Sequence, residues 1–276
     1  MRKKPEAKAA ASSLPTAFAA WFAERGWQPR PHQLALLEKA RDGRSTLLIA
    51  PTGAGKTLAG FLPSLVDLTT NVGGEPRGAG LHTLYISPLK ALAVDVARNL
   101  TTPVAEMGLP IRIESRTGDT SVAVRARQRT KPPQIMLTTP EQIALLLSHE
   151  DASFLFRDLK VIVLDELHAL VASKRGDLLA LGLARLRQLA PGLLMIGLSA
   201  TVARPSELRA YLVPQTMPDS FVAVGDLVVT GGGAKPDISI METNEPLPWA
   251  GHTARYAIPQ IYAAVKAHRL SLLFVN

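Results

Sequence analysis

The stretch Ala50-Pro51-Thr52-Gly53-Ala54-Gly55-Lys56-Thr57 stands between an apolar run, Thr46 to Ile49, and a helical apolar pattern, Leu58 to Leu68. A strand, a loop of small residues and a helix start, in that order, are the context in which Gly-Lys-Thr marks a phosphate-binding loop. Small side chains let backbone N–H groups close on a phosphate, and the helix N-terminus adds partial positive charge. Thr52, Gly53, Ala54 and Gly55 supply that cradle. Lys56 then reaches the β and γ phosphates of a nucleotide, and the Thr57 hydroxyl is suited to Mg²⁺. Ala50 stands where the general pattern has its first Gly; read alone, an ordinary Gly-containing strand-to-helix turn is the alternative.

Outward from this loop the chain alternates short apolar runs with longer amphipathic segments. Thr46 to Ile49, Thr83 to Ile86, Ile135 to Leu137, Val161 to Leu164 and Leu193 to Leu198 read as strands, with Ile111 to Glu114 as a sixth. Leu179, Leu183, Leu186 and Ala190 share one helical face. The prediction is an α/β fold, a mostly parallel sheet flanked by helices. Asn71 to Gly80 reads as a Gly-rich surface loop, and Gly231-Gly232-Gly233, followed by Pro236, Pro246 and Pro248, as a linker. Beyond it lie a helical stretch, Ala254 to His268, and the apolar run Leu270 to Val275. A lone apolar strand needs a sheet to receive it. The reading is that the chain stops inside a second domain; the alternative is that this strand joins the first sheet. Residues 1–13 read as a disordered basic tail, since Glu6 and Lys8 interrupt what would otherwise resemble a leader.

A nucleotide site of this kind needs a metal-binding carboxylate and a group that activates water. Asp165-Glu166-Leu167-His168 follows the Val161 to Leu164 run, so it falls at a strand's carboxyl end, where open α/β sheets bind ligands. Asp165 suits Mg²⁺, directly or through water, and Glu166 suits the proton of the attacking water. His168 alone reads as a structural residue.

Composition sets outer bounds. The 276 residues carry 31 Lys+Arg against 23 Asp+Glu, a formal charge of +8, which suits a polyanionic partner but also a solvated basic surface. With no cysteine, disulfide scaffolds, zinc ribbons and thiol nucleophiles are excluded. No apolar run approaches the ~20 residues a bilayer crossing requires.

In this order the motifs resemble the first motor domain, and the opening of the second, of a superfamily 2 DExH-box helicase. Arg30-Pro31-His32-Gln33 resembles the family's upstream glutamine motif, in which Gln33 reads adenine, and Ser199-Ala200-Thr201 its coupling motif, with His168 as a partner. Ser87-Pro88-Leu89-Lys90-Ala91-Leu92, Arg116-Thr117-Gly118-Asp119 and Thr138-Thr139-Pro140-Glu141 resemble its strand-contacting motifs. That resemblance assigns nucleic-acid contacts to Pro88, Lys90, Arg116, Gly118, Thr139 and Pro140. The stretches Arg116 to Leu147 and Asp165 to Leu186, with Ser173-Lys174-Arg175-Gly176-Asp177, are similar to the large helicase-related (Lhr) group and its branch associated with DNA ligase. Lys174 and Arg175 read equally well as neighbours of nucleic acid or of an inter-domain surface and as a solvated helix start. The basic cluster Arg112, Arg116, Arg125, Arg127, Arg129 and Lys131 has no interleaved aromatics and reads as a solvated face.

The resemblance implies a RecA-like P-loop NTPase domain over residues 14–230, a linker over 231–250 and the beginning of a second RecA-like domain over 251–276. It implies ATP and Mg²⁺ as cofactors, single-stranded DNA as the track with RNA as the alternative, and 3′ to 5′ translocation. Its other expected partners are the second motor domain and DNA-repair proteins such as a ligase, with no membrane and a cytoplasmic, nucleoid-associated setting. Arginines from the second motor domain complete hydrolysis in the family, so these residues alone are expected to turn ATP over poorly. A non-catalytic nucleic-acid-binding module is the remaining alternative.

Overall fold

The computed structural model describes residues 14–69, 80–200, 202–215, 222–231, 237–241 and 255–274. The chain divides into two compact units, Met1–Gly233 and Ala234–Asn276. The expected tail, the Asn71 to Ala79 part of the expected loop and most of the linker lie outside the described residues.

In the first unit the elements run α1 (Thr16–Glu24), α2 (Pro31–Arg41), β1 (Thr46–Ile49), α3 (Lys56–Thr69), β2 (Thr83–Ile86), α4 (Lys90–Glu106), β3 (Ile113–Arg116), α5 (Val122–Thr130), β4 (Ile135–Thr138), α6 (Pro140–Leu147), α7 (Ala152–Phe156), β5 (Val161–Leu164), α8 (Leu167–Val171), α9 (Lys174–Leu189), β6 (Leu194–Ser199), α10 (Pro205–Tyr211) and β7 (Asp226–Val229). Among the described residues they form one seven-stranded sheet in the order β3-β4-β2-β5-β6-β1-β7, with every pairing parallel.

The central strands are apolar throughout because both faces are covered, the pattern that crossover helices impose on parallel sheets. Alternate residues serve opposite layers. Leu48, Tyr85, Leu137, Val163 and Leu198 pack with side chains of α1, α2, α3 and α4. Leu47, Ile49, Leu84, Ile86, Met136, Ile162, Leu164 and Met195 pack on the other face with α6 to α10. The predicted stripe Leu179, Leu183, Leu186 and Ala190 is fully buried in this second layer.

Three features differ from the sequence reading. The edge strand β3 lies two residues later than Ile111 to Glu114, because its register follows β4, with Ile113 opposite Ile135. Strand β7 is additional. Its residues alternate half-buried and exposed, so no continuous apolar run announces it, and it adds to β1 at the opposite edge. Asp226 at its start is held by Lys39 at 2.8 Å and Arg44 at 2.5 Å. The run Leu270 to Val275 is the third: its described part is not a strand, and Leu270, Leu272, Leu273 and Phe274 are exposed with no β partner among the described residues.

The second unit contains a 3₁₀ turn, Arg255–Ala257, and α11 (Ile258–Ala267). Among the described residues no helix is long and apolar enough to cross a membrane.

Candidate nucleotide and strand site

The phosphate loop, Ser87-Pro88, Thr139-Pro140, Asp165-Glu166 and Ser199 fall at the carboxyl edge of the sheet. Strand β1 leads into the phosphate loop, β2 into Ser87-Pro88, β4 into Thr139-Pro140, β5 into Asp165-Glu166, and β6 ends at Ser199. A parallel sheet delivers all of its strand ends to one side, so residues far apart in sequence converge there.

The phosphate loop bends at Gly53 and Gly55, with φ of 77° and 74°, a region that L side chains enter at a cost. At Gly55 a Cβ would also sit 3.2 Å from Gln33 Nε2. Lys56 Nζ donates to the Ala50 carbonyl at 3.1 Å, and the Ala50 N–H donates to the Ser199 carbonyl at 3.1 Å, so the loop is laced to the end of β6.

From the other side α2 supports it. Gln33 Oε1 accepts the Arg30 N–H at 2.9 Å, closing the helix N-terminus, while Arg30 Nη1 donates to the Gly53 carbonyl at 3.2 Å. His32 Nε2 lies 2.9 Å from the Ala54 carbonyl. A carbonyl only accepts, so Nε2 carries the proton. Burial, together with the Arg30 charge, keeps His32 below the ordinary histidine pKa despite that hydrogen bond. Beside this support opens a cavity of about 350 Å³ lined by Phe22, Trp27, Gln28, Arg30, Gln33, Gly55 and Leu58. A second, of about 280 Å³, is lined by Arg30, His32, Thr52, Gly53, Ala54 and Thr230 among others. Arg30 and His32 were in the quoted motif, yet only Gln33 was assigned a role; their roles depend on two loop carbonyls that sequence does not locate.

Asp165 is buried, and burial raises its carboxyl pKa. The Tyr85 hydroxyl, from the neighbouring strand β2, donates to its Oδ2, and the Lys56 charge also favours the ionised form. Burial and the carboxylate hold the Tyr85 phenol far above its usual pKa, so it remains a donor. The Tyr85 ring stacks on Phe61 of α3 at 5.2 Å. Tyr85 was read only as a strand residue, because its partner is 80 positions away. Glu166 has φ 46° and ψ 44°, a left-handed turn that ends β5 and starts α8. Its Oε2 lies 3.5 Å from His168 Nδ1, which is 2.9 Å from Ser199 Oγ. His168 therefore bridges the carboxylate turn and the end of β6. Thr201 lies outside the described residues.

On the strand-contact side, Lys90 is exposed and its Nζ pairs with Asp119 at 2.8 Å, beside exposed Gly118. Pro88 is half-buried, and Thr139 and Pro140 are buried at the start of α6. Arg116 is buried at the end of β3, its Nη1 donates to the Arg125 carbonyl at 3.0 Å, and burial followed by the Arg125 and Arg129 charges lowers its pKa. Four more residues of the basic cluster are engaged. Arg112 donates to the Pro132 carbonyl, Arg125 to those of Thr120 and Gly118, Arg127 pairs with Glu114, and Arg129 with Asp151.

Comparison with known proteins agrees with this arrangement. The chain is similar to the Lhr helicase/probable uracil glycosylase of Mycolicibacterium smegmatis, 38% identical over 270 residues that cover 93% of this chain and 17% of that protein. It is 40% identical to the Lhr helicase/uracil glycosylase of Escherichia coli over 207 residues, 70% of this chain and 13% of that one. The chain thus spans less than a fifth of these curated relatives. Among solved structures it is similar to the Mycobacterium smegmatis helicase Lhr bound to ssDNA and AMP-PNP, with a TM-score of 0.74 and 33% identity over 94% of this chain and 33% of that one. The DUF1998 helicase MrfA bound to DNA and AMPPNP is also similar, with a TM-score of 0.65 and 28% identity over 84% of this chain and 30% of that one. The family model for DEAD/DEAH box helicases matches residues 30–208, from the α2 support through the phosphate loop and carboxylates to α10, and the chain belongs to that family.

Proposed function

We propose that this chain is the ATP-binding motor half of an ATP-dependent helicase that travels 3′ to 5′ along single-stranded DNA in DNA repair. The observation that carries this reading is the convergence, at one sheet edge, of Lys56, the Asp165-Glu166 pair and Ser199, linked through His168 and the Ala50 N–H. The DNA held by two of the similar solved structures favours DNA over RNA as the track.

In this reading the nucleotide phosphates sit against Gly53 to Thr57, with Lys56 moving from the Ala50 carbonyl to the β and γ phosphates. Adenine enters the cavity beside Gln33 and Trp27. Thr57 and Asp165 would hold Mg²⁺. The fit rests on their hard oxygen donors and on the buried Asp165 carboxylate, whose charge burial alone disfavours and a cation would stabilise. When bound, the ion neutralises phosphate charge as the phosphoryl group transfers. Glu166 orients the attacking water and takes its proton, and His168 passes the arrangement of that turn to Ser199. A second RecA-like domain supplies the arginines that stabilise transition-state charge, and repair proteins such as a ligase are the expected company in a cytoplasmic setting.

The test uses the full-length gene product. ATP hydrolysis is measured with matched single-stranded DNA and RNA, and unwinding with duplexes carrying a 3′ or a 5′ tail. Stimulation by DNA and unwinding only from the 3′ tail are expected. Hydrolysis indifferent to any strand would overturn the motor reading.

A further inference from the structure

The turn Ser173-Lys174-Arg175-Gly176-Asp177 takes no part in the scheme above, yet it is tied to its surroundings by side-chain hydrogen bonds at Ser173, Arg175 and Gly176. Ser173 Oγ donates to the Leu170 carbonyl at 2.8 Å and caps the Gly176 N–H at 3.2 Å, joining the end of α8 to the start of α9. Tyr211 of α10 donates its hydroxyl to the Gly176 carbonyl at 2.8 Å. There is no room for a side chain at 176, where a Cβ would meet the Leu170 carbonyl oxygen at 2.1 Å. The turn is therefore a fixed base.

From that base Arg175 reaches two separate loops. Its Nη1 donates to the Pro88 carbonyl at 2.6 Å, in the loop after β2. Its Nε and Nη2 take both oxygens of Glu141, at 2.5 and 3.1 Å, in the first turn of α6 after β4. The pair holds the Glu141 carboxyl down at about 2, so both partners stay charged across the physiological range. All three guanidinium nitrogens are engaged inside the protein, and the two loops they join are those assigned to the nucleic-acid strand. A lysine could not do the same, since one ammonium cannot match a planar fork set between a carbonyl and two carboxylate oxygens.

We propose that Arg175 is a positioning residue for the strand site: it sets the spacing between the Pro88 loop and the Thr139-Pro140-Glu141 helix start, so that both grip one phosphate backbone in register. The role is indirect in that three of the five guanidinium N–H donors are committed to the Pro88 carbonyl and the Glu141 carboxylate. It rests on the proposed function, in that the two loops are taken as strand contacts.

The experiment compares full-length wild type, Arg175→Ala, Arg175→Lys and Arg175→Ala/Glu141→Gln. Binding of a fluorescent ATP analogue is measured first, then binding of a fluorescent oligothymidylate across a salt series, then hydrolysis as oligonucleotide is raised. Arg175→Ala is expected to bind the ATP analogue like wild type while needing about tenfold more oligonucleotide for half-maximal stimulation, within the usual range of coupling between linked sites. Its turnover at saturating oligonucleotide should match wild type, and the double variant should be no worse than the single. The slope of log affinity against log salt should also be unchanged, because no phosphate contact is removed. Arg175→Lys should show the same split, and serves alone if Arg175→Ala does not fold.

Unchanged oligonucleotide affinity in both variants would overturn the proposal. A slope lower by about one would also overturn it, by making Arg175 itself a phosphate contact. If wild type binds no strand at all, the proposed function fails instead, a result distinct from a variant-specific change.

Discussion

His32 Nε2 donates to the Ala54 carbonyl at 2.9 Å, fastening the first turn of α2 to the phosphate loop between its two left-handed glycines. His32 is buried, and its pKa lies below the ordinary histidine value. The unfolded chain therefore takes up a proton before the folded one does. Stability that is whole above about pH 6.5 should decline as pH falls from there toward the depressed folded value. His32→Ala should remove this dependence and leave the Ala54 carbonyl without its donor, costing about 1–3 kcal/mol. Thermal melts between pH 5 and 8 check both statements; a wild-type melting profile that is flat below pH 6.5 counts against the burial argument.

Lys56 donates to the Ala50 carbonyl at the end of β1, a short side-chain movement from the loop it serves. Lys56→Ala should lower ATP turnover by about 10²-fold or more, as expected for removing a preorganised charge at a phosphoryl site. Single-strand binding should survive, because the exposed strand-side groups Lys90, at the start of α4, and Gly118, after β3, lie on other segments. Phosphate release and oligonucleotide anisotropy on the same preparation separate the two effects. Retained hydrolysis would remove Lys56 from the phosphate site.

Glu166 occupies a left-handed turn that places its carboxylate at the end of β5, 3.5 Å from His168. Glu166→Gln keeps the shape and loses the proton acceptor. ATP binding should persist while turnover falls about 10²- to 10⁴-fold, the range for losing a general base. A single-turnover measurement with bound ATP decides it, since unchanged chemistry would leave Glu166 only a structural part of the turn.

The parallel sheet was legible in the sequence because its central strands, such as Val161 to Leu164, are buried on both faces and read as unbroken apolar runs. The phosphate loop and the Asp165-Glu166 pair were legible for a different reason: an ordinary strand-to-helix turn needs neither a Gly-Lys-Thr helix start nor an acidic pair directly after its apolar strand. Strand β7 was not, because an edge strand with alternate exposure carries no such run. The Arg116 contact was not legible either, because the carbonyl that takes its Nη1 belongs to Arg125 of α5, nine residues on. Arg175 lay undecided between two readings. Its two partner residues, Glu141 and Pro88, lie 34 and 87 residues away, and only the fold brings them to one guanidinium. Contacts of that kind, like Tyr85 with Asp165, depend on strand order, which local pattern does not encode.

The Tyr85 hydroxyl is the donor that Asp165 receives from the neighbouring strand, and the ring behind it is clamped by Phe61. Tyr85→Phe keeps the ring and its stacking, so the change isolates one hydrogen bond. Asp165 is buried, and losing a donor there costs more than at the surface, about 1–3 kcal/mol in global stability. The carboxylate would also lose the contact that fixes its rotamer, so the Mg²⁺ concentration for half-maximal hydrolysis should rise, about 10-fold or more by the usual effect of removing a partner that orients a metal ligand. Nucleotide binding without Mg²⁺ should be unaffected, because Lys56 and the loop are untouched. Chemical denaturation and a Mg²⁺ titration of hydrolysis together test the assignment: a loss of stability with an unchanged Mg²⁺ midpoint would make Tyr85 a packing residue and leave the orientation of Asp165 to its own strand.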